Sequence, residues 1–180
     1  MELPEPVSER NIDGYDNPPL DWSRVRDRLA AEIPQAPGSG GPDRHTTWIA
    51  TVNPSGRPHV VAVGGQWLDG RVYFTSGPGT RKSRNLVVDP HCTISVATDE
   101  FDIVVEGLAE RVTDDAELER LAGIFAAGGW PARAEDGALT AEYSAPSAGP
   151  PPWYLYRVDP ETVYVVAARE PYGAARWDFA

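Results

Sequence analysis

The chain has 180 residues, 41% of them hydrophobic, which is enough for one domain with a sizeable core and too little for a second full domain. Its formal net charge of -11 repels phosphate backbones and anionic lipids, so no nucleic-acid or membrane-surface role is expected from its single short cationic cluster. No apolar run approaches the roughly 20 residues of a membrane span, and the opening Met-Glu-Leu-Pro-Glu-Pro lacks the regions of a signal peptide, so a cytoplasmic protein is expected.

Residues 1–19 are rich in proline, acid and turn-formers, and predict an arm that is loose or docked on a partner. From Asp21, a plausible N-cap, Val25, Leu29 and Ile33 recur at helical spacing until Pro34 ends the pattern. Residues 34–43, full of Gly and Pro, read as a linker, so the chain divides into an N-terminal arm and helix (1–43) and a main domain (44–180).

The centre predicts antiparallel sheet. Residues 46–52 are strand-like, Asn53-Pro-Ser-Gly56 is turn chemistry, residues 57–67 alternate, and Leu68-Asp-Gly70 turns into a strand at 71–75, giving a three-stranded meander. A short helix over 81–88 is stopped by Asp89-Pro90, and strands follow over 91–98 and 102–112, for at least five in all. Thr113 is the expected cap of a helix with Asp114 and Asp115 in its first turn, an apolar face of Leu118, Leu121, Ile124 and Phe125, and Gly128-Gly129 at its end. Residues 131–152 read as a long loop over a site or a partner, and 153–158 and 162–168 as strands. Cys92 is alone among strand residues and reads as core filler.

The chemistry concentrates in Thr75-Ser-Gly-Pro-Gly-Thr-Arg-Lys-Ser-Arg-Asn85. Fifteen of the sixteen basic residues are arginine, and the one lysine, Lys82, falls here. A strand ends at Phe74-Thr75, and Thr80 caps a helix whose first turn holds Arg81, Lys82 and Arg84. Cations at a helix N-terminus oppose the dipole unless an anion sits there. A phosphate resolves the conflict, held by free backbone N–H groups, the hydroxyls of Thr75, Ser76 and Thr80, and an arginine fork. Arg57 and His59 share a strand face with Val61 and Val63, which makes that strand the second wall. Gly64-Gly65 would either let a flat ring lie close to backbone or mark a bulge. His45, His59 and His91 lack paired ligand spacing, and no metal is expected; the turn 77–82 has the wrong glycine-to-lysine spacing for a P-loop, and no Gly-x-Ser-x-Gly elbow occurs.

Gly56-Arg-Pro-His-Val-Val61, Val72-Tyr-Phe-Thr-Ser76, Thr80-Arg-Lys-Ser-Arg-Asn-Leu86 and Asp102-Ile-Val-Val-Glu-Gly-Leu-Ala109 resemble the pyridoxamine-phosphate-oxidase-like split β-barrel proteins over roughly residues 43–180. The resemblance implies a mainly β (α+β) fold, a six-stranded antiparallel Greek-key split barrel with flanking helices, and a homodimer with its cofactor at the interface. It implies that Arg57, His59 and Val61 flank the cofactor while Thr75, Ser76, Thr80, Arg81 and Lys82 hold its phosphate. The ending Gly173-Ala-Ala-Arg176-Trp177-Asp-Phe179 is similar to the Thr-Arg-Trp-x-Phe tail of the family's flavin/deazaflavin reductase branch, with Ala175 in place of threonine. Arg176 and Trp177 are thus candidates for ring or substrate contacts, the alternative being an aromatic terminus packed as core. The arginine- and histidine-bearing ending that serves vitamin B6 oxidation is missing, and the cofactor that the resemblance implies is FMN or the deazaflavin F420.

The resulting expectation is an oxidoreductase that moves a hydride between bound FMN or F420 and a small organic molecule, the protein supplying position and electrostatics. No catalytic acid or base is identified in the sequence. The alternative is a protein that binds, carries or senses flavin, F420 or haem without turnover.

Overall fold

A computed structural model describes residues 4–31, 47–145 and 148–180. Ile33, the 34–43 linker, His45 and Thr46 lie outside the described residues. In chain order the elements are β1 (Ser8–Asn11), α1 (Trp22–Ala30), β2 (Thr47–Val52), β3 (Pro58–Ala62), β4 (Gln66–Leu68), β5 (Arg71–Ser76) and α2 (Arg81–Val88). There follow β6 (His91–Ala97), β7 (Phe101–Arg111), α3 (Asp115–Ala127), β8 (Arg133–Glu135), β9 (Ala138–Thr140), β10 (Tyr154–Ala167) and β11 (Ala174–Asp178).

The fold is mainly β, of the split-barrel type, and the paired strands are antiparallel. One sheet runs β1-β11-β10-β7-β6-β2-β3, with β5 pairing both β10 and β4, while β8 and β9 form a separate hairpin. That sheet has nine strands where six were expected; setting aside the short β1 and β4 and the terminal β11 leaves six. Among the described residues no helix is long and apolar enough to cross a membrane.

Several elements differ from the sequence reading. The N-terminal arm is not loose where it is described: β1 pairs with β11, and Val7 and Ile12 donate backbone N–H groups to the carbonyls of Asp178 and Ala174. The central run does not form a simple meander. Residues 63–65 fall outside the strands, so β3 stays on β2 while β4 turns back with β5, and β5 joins β10. The break has a steric reason, because a Cβ on Gly65 would stand 2.6 Å from Thr47 Cγ2. The β4–β5 turn is Asp69-Gly70, with φ of 54° and 75°, the two positive values that a type I′ hairpin needs.

Asp114, not Thr113, caps α3, accepting the Glu117 N–H at 2.8 Å. Residues 131–152 are not a plain loop, since β8 and β9 lie within them around an Asp136-Gly137 turn. The two last strand segments expected from the sequence are one strand, β10, whose pairing with β7 shifts between Pro160 and Thr162. A bulge keeps both halves in the ladder where proline cannot donate.

The core has two parts, on opposite faces of β5 and β10. Phe74, Ile94, Ile103, Val105 and Val163 fill the barrel side, together with Val25 and Leu29 of α1, whose cap Asp21 accepts the Ser23 N–H at 2.8 Å. Tyr73, Leu155 and Leu139 pack under α3 through Leu118, Leu121, Ala122 and Phe125, with Ile124 half-buried at the edge. Strand β5 is therefore covered on both faces, which explains its unbroken apolar run from Val72 to Phe74. Each such large side chain contributes about 1.5–3 kcal/mol on burial. Cys92 packs in the barrel core as expected, and burial pushes its thiol up to about 12.

Candidate functional site

The end of β5, the start of α2 and the strand β3 converge as the sequence implied. Thr80 caps α2, accepting the Ser83 N–H at 3.3 Å. Its hydroxyl oxygen also lies 2.8 Å from Ser76 Oγ, and Ser83 Oγ donates to Ser76 Oγ at 2.8 Å. This closed set of hydroxyls ties the strand end to the first helical turn. Ser76 is only 2% exposed, so it acts from inside the junction rather than on its surface. Asn85 adds a second tie, its side-chain amide donating to Thr51 Oγ1 at 3.0 Å on β2.

Two cavities flank this junction. The first, of about 690 Å³, is lined by His59 and Val61 on β3, by the turn Gly77-Pro78-Gly79, by Thr80, Arg81 and Lys82, and by residues 148–152. The second, of about 550 Å³, lies against residues 62–66, Thr75, Ser76 and Lys82, and is closed opposite by Phe125, Trp130 and Tyr143. Both volumes fall within the range of small-molecule sites. Lys82, Ala62 and Ala148 line both, so the two are neighbours across the lysine. Arg57 stands just beyond, in a smaller polar recess that it shares with His59 and Arg81.

Among the described residues no aspartate or glutamate lines these three spaces. In a chain of net charge -11 that is a marked local inversion. Lys82 is half-buried, has no hydrogen-bond or ion-pair partner among the described residues, and burial pulls its pKa below the ordinary lysine value. His59 is held below its ordinary value by burial first and then by the charges of Arg81 and Lys82. The arrangement destabilises its own cations and would relax on meeting an anion. Thr80, Arg81 and Lys82 lie on the α2 N-terminal turn, where backbone N–H groups and the helix dipole favour negative charge. The donor set therefore suits a phosphate. Among the described residues no group of three or more His, Cys, Asp and Glu side chains could hold a metal ion.

The tail residues do not join this group within the chain. Trp177 is fully buried on β11, its ring 5.3 Å from that of Trp22, and its indole donates to Glu9 at 3.1 Å. Arg176 pairs with Asp178 and lies over the Tyr164 ring. The packed-aromatic alternative thus describes Trp177 in this chain. Conversely, Gln66, Phe125, Trp130 and Tyr143 line the second cavity without having been singled out as site residues in the sequence. Trp130 and Tyr143, two aromatics within a Pro/Gly/Ala-rich stretch, were the available signal.

The fold is that of a split-barrel protein, and the start of α2 is suited to an anion. The family model described as pyridoxamine 5'-phosphate oxidase matches residues 41–167, and the chain belongs to that family. A comparison with curated proteins returned no match. Among solved structures, the chain resembles the conserved hypothetical protein Rv2991 from Mycobacterium tuberculosis, with 18% identity, 92% of this chain and 89% of that chain covered, and a TM-score of 0.53. It also resembles PhzG from Burkholderia lata 383, solved in complex with tetrahydrophenazine-1-carboxylic acid, with 17% identity, coverages of 88% and 87%, and a TM-score of 0.53. General Stress Protein 26 from Bacillus anthracis aligns at 17% identity over 79% of this chain and 93% of that chain, with a TM-score of 0.52. These likenesses are of fold.

Proposed function

We propose that the protein binds FMN or F420 by its phosphate at the start of α2 and acts as an oxidoreductase on a small organic molecule. The observation that carries this reading is Lys82: among the described residues, a half-buried ammonium without a partner, at a helix N-terminus, between two cavities that no carboxylate lines. Membership of the pyridoxamine 5'-phosphate oxidase family supports a flavin-type cofactor. When bound, such a cofactor would supply hydride transfer. The chain's own residues bind and orient: Lys82 and Arg81 hold the phosphate, Thr80 and the hydroxyls around it fix the turn, and His59 and Val61 form the β3 wall.

The same reading includes a homodimer with the site at its interface. Strand register supports it, because Trp48 faces Ala62, Ala50 faces Val60 and Val52 faces Pro58 on one outward surface of β2 and β3. Trp48 is 43% and Val60 56% exposed there, an apolar patch beside the first cavity, and β3 is an edge strand.

A binding or carrier role is the second reading, favoured by one observation: among the described residues no carboxylate lines either cavity to serve as acid or base. The test is the absorption and fluorescence spectrum of the purified protein, followed by titration with FMN and with F420. Submicromolar binding of one is expected, and binding of neither overturns the proposal. Reduction of the bound cofactor without electron transfer to any of a panel of acceptors selects the carrier.

A further inference from the structure

The hydroxyls of Ser76, Thr80 and Ser83 form a closed ring with a definite sense. Thr80 Oγ1 donates to Ser83 Oγ at 3.2 Å, Ser83 Oγ donates to Ser76 Oγ at 2.8 Å, and Ser76 Oγ stands 2.8 Å from Thr80 Oγ1. A hydroxyl has one proton to give, and Ser83 takes that of Thr80, so the closing bond runs from Ser76 to Thr80. Thr80 Oγ1 accepts a second time, from the Ser83 backbone N–H. Ser76 and Thr80, expected from the sequence to hold a phosphate through their hydroxyls, therefore have those protons turned inward.

Ser83 is the member that sequence patterning passed over. It is 2% exposed and lines none of the three spaces, yet it follows Lys82 directly in the first turn of α2. Ser76, equally buried, leads into the turn Gly77-Pro78-Gly79 that walls the first cavity. The backbone closes that turn itself, through the Thr80 N–H and the Gly77 carbonyl at 3.0 Å, and the ring carries the tie onward from the strand at Ser76 to the helix at Ser83. Backbone N–H groups and a lysine converge on one anion only when the elements that carry them keep a fixed spacing, and a site fixed in advance loses less freedom on binding. Hydroxyls in series also polarise one another, so removing one member weakens the rest.

We propose that Ser76, Thr80 and Ser83 act as one positioning unit for the bound phosphate, holding the turn 77–79 and the first turn of α2 at the spacing the anion requires. Ser83 is then a positioning residue that affects phosphate affinity without touching the ligand. This inference rests on the reading of the start of α2 as a phosphate site.

The test compares the parent with Ser83→Ala, Ser76→Ala and the double variant. Ser83→Ala keeps the backbone N–H that Thr80 accepts, so the helix cap survives. Each protein is titrated by fluorescence with FMN and F420 and with their phosphate-free counterparts, riboflavin and the deazariboflavin core, and by calorimetry with inorganic pyrophosphate. Each single variant should weaken the phosphate-bearing cofactor about threefold to tenfold and leave the phosphate-free one within about twofold. The double variant should lie within about twofold of either single one, because the ring is opened once. Three results overturn the inference: equal losses with and without the phosphate, a loss for Ser76→Ala with none for Ser83→Ala, which marks direct contact at Ser76, or losses that multiply in the double variant. A fall in unfolding temperature with unchanged affinities also overturns it, since the ring then serves stability alone. If neither FMN nor F420 binds, the cofactor reading fails by itself, and pyrophosphate decides the ring: the same pattern supports it, and no binding or equal binding by all four proteins overturns it.

Discussion

Replacing Lys82 with methionine separates two opposing consequences of one buried charge. The ammonium is half-buried without a partner among the described residues, so in the unliganded protein its burial carries a desolvation cost, and Lys82→Met orphans no acceptor among them. The unliganded variant should therefore unfold at the same temperature as the parent or higher. The pH dependence has a definite sign. Burial lowers the folded-state pKa below the ordinary 10.5, so the cost is full below the folded value and fades as pH rises toward 10.5. Any stability advantage of Lys82→Met should shrink over that same interval.

Binding runs the other way. One charge-assisted hydrogen bond to a phosphate oxygen is worth about 1.5–3 kcal/mol, so the variant should bind FMN or F420 about 10- to 150-fold more weakly. Riboflavin, which has the ring system of FMN without its phosphate, should bind parent and variant alike, and Lys82→Arg should recover part of the loss. Fluorescence titration with the three ligands and differential scanning fluorimetry from pH 7 to 10 give both readouts. Equal FMN affinity in parent and variant, or equal losses for FMN and riboflavin, would refute a phosphate contact at Lys82.

The ring protons of His59, followed by NMR, should titrate below 6.5 in the free protein and move upward when FMN or F420 is bound, as the anion offsets Arg81 and Lys82. Because the folded value is lowered, the stability tied to the neutral ring is present above 6.5 and is lost as pH falls through the folded value, a loss that His59→Gln should remove. Gly107→Ala would place a Cβ 2.1 Å from the Asp159 carbonyl oxygen beside the β7–β10 bulge. Overpacking of this kind costs about 1–3 kcal/mol, and scanning calorimetry should show a fall of several degrees, whereas an unchanged midpoint would contradict the strand spacing. Trp48→Glu should turn a dimer into a monomer in light scattering without changing the far-UV spectrum, since the indole is already partly exposed. A dimer that persists would place the interface elsewhere.

Local chemistry fixed much of this protein in its sequence. The helix Arg81–Val88 has its cap at Thr80 and its stop before Pro90, both readable because capping and proline geometry act over a few residues. The burial alternation of β6 and β7 followed from the strand period alone. The crowding of cations at one helix start in an acidic chain was legible for the same reason, since helix dipole and charge are local quantities.

What the sequence left open depended on partners distant in the chain. A strand-forming arm and a proline-rich arm look alike until β11 offers β1 an edge. Trp177 carries the same letter whether it meets a ligand or Trp22, and only the approach of α1 to β11 made it core. Ser76 became an internal tie once Ser83 closed on it. The aromatic wall of Trp130 and Tyr143 exists because the end of α3 and the 143–145 segment bond to one another across the barrel's Gly64-Gly65 break, a juxtaposition that side-chain periodicity does not encode and tertiary packing does.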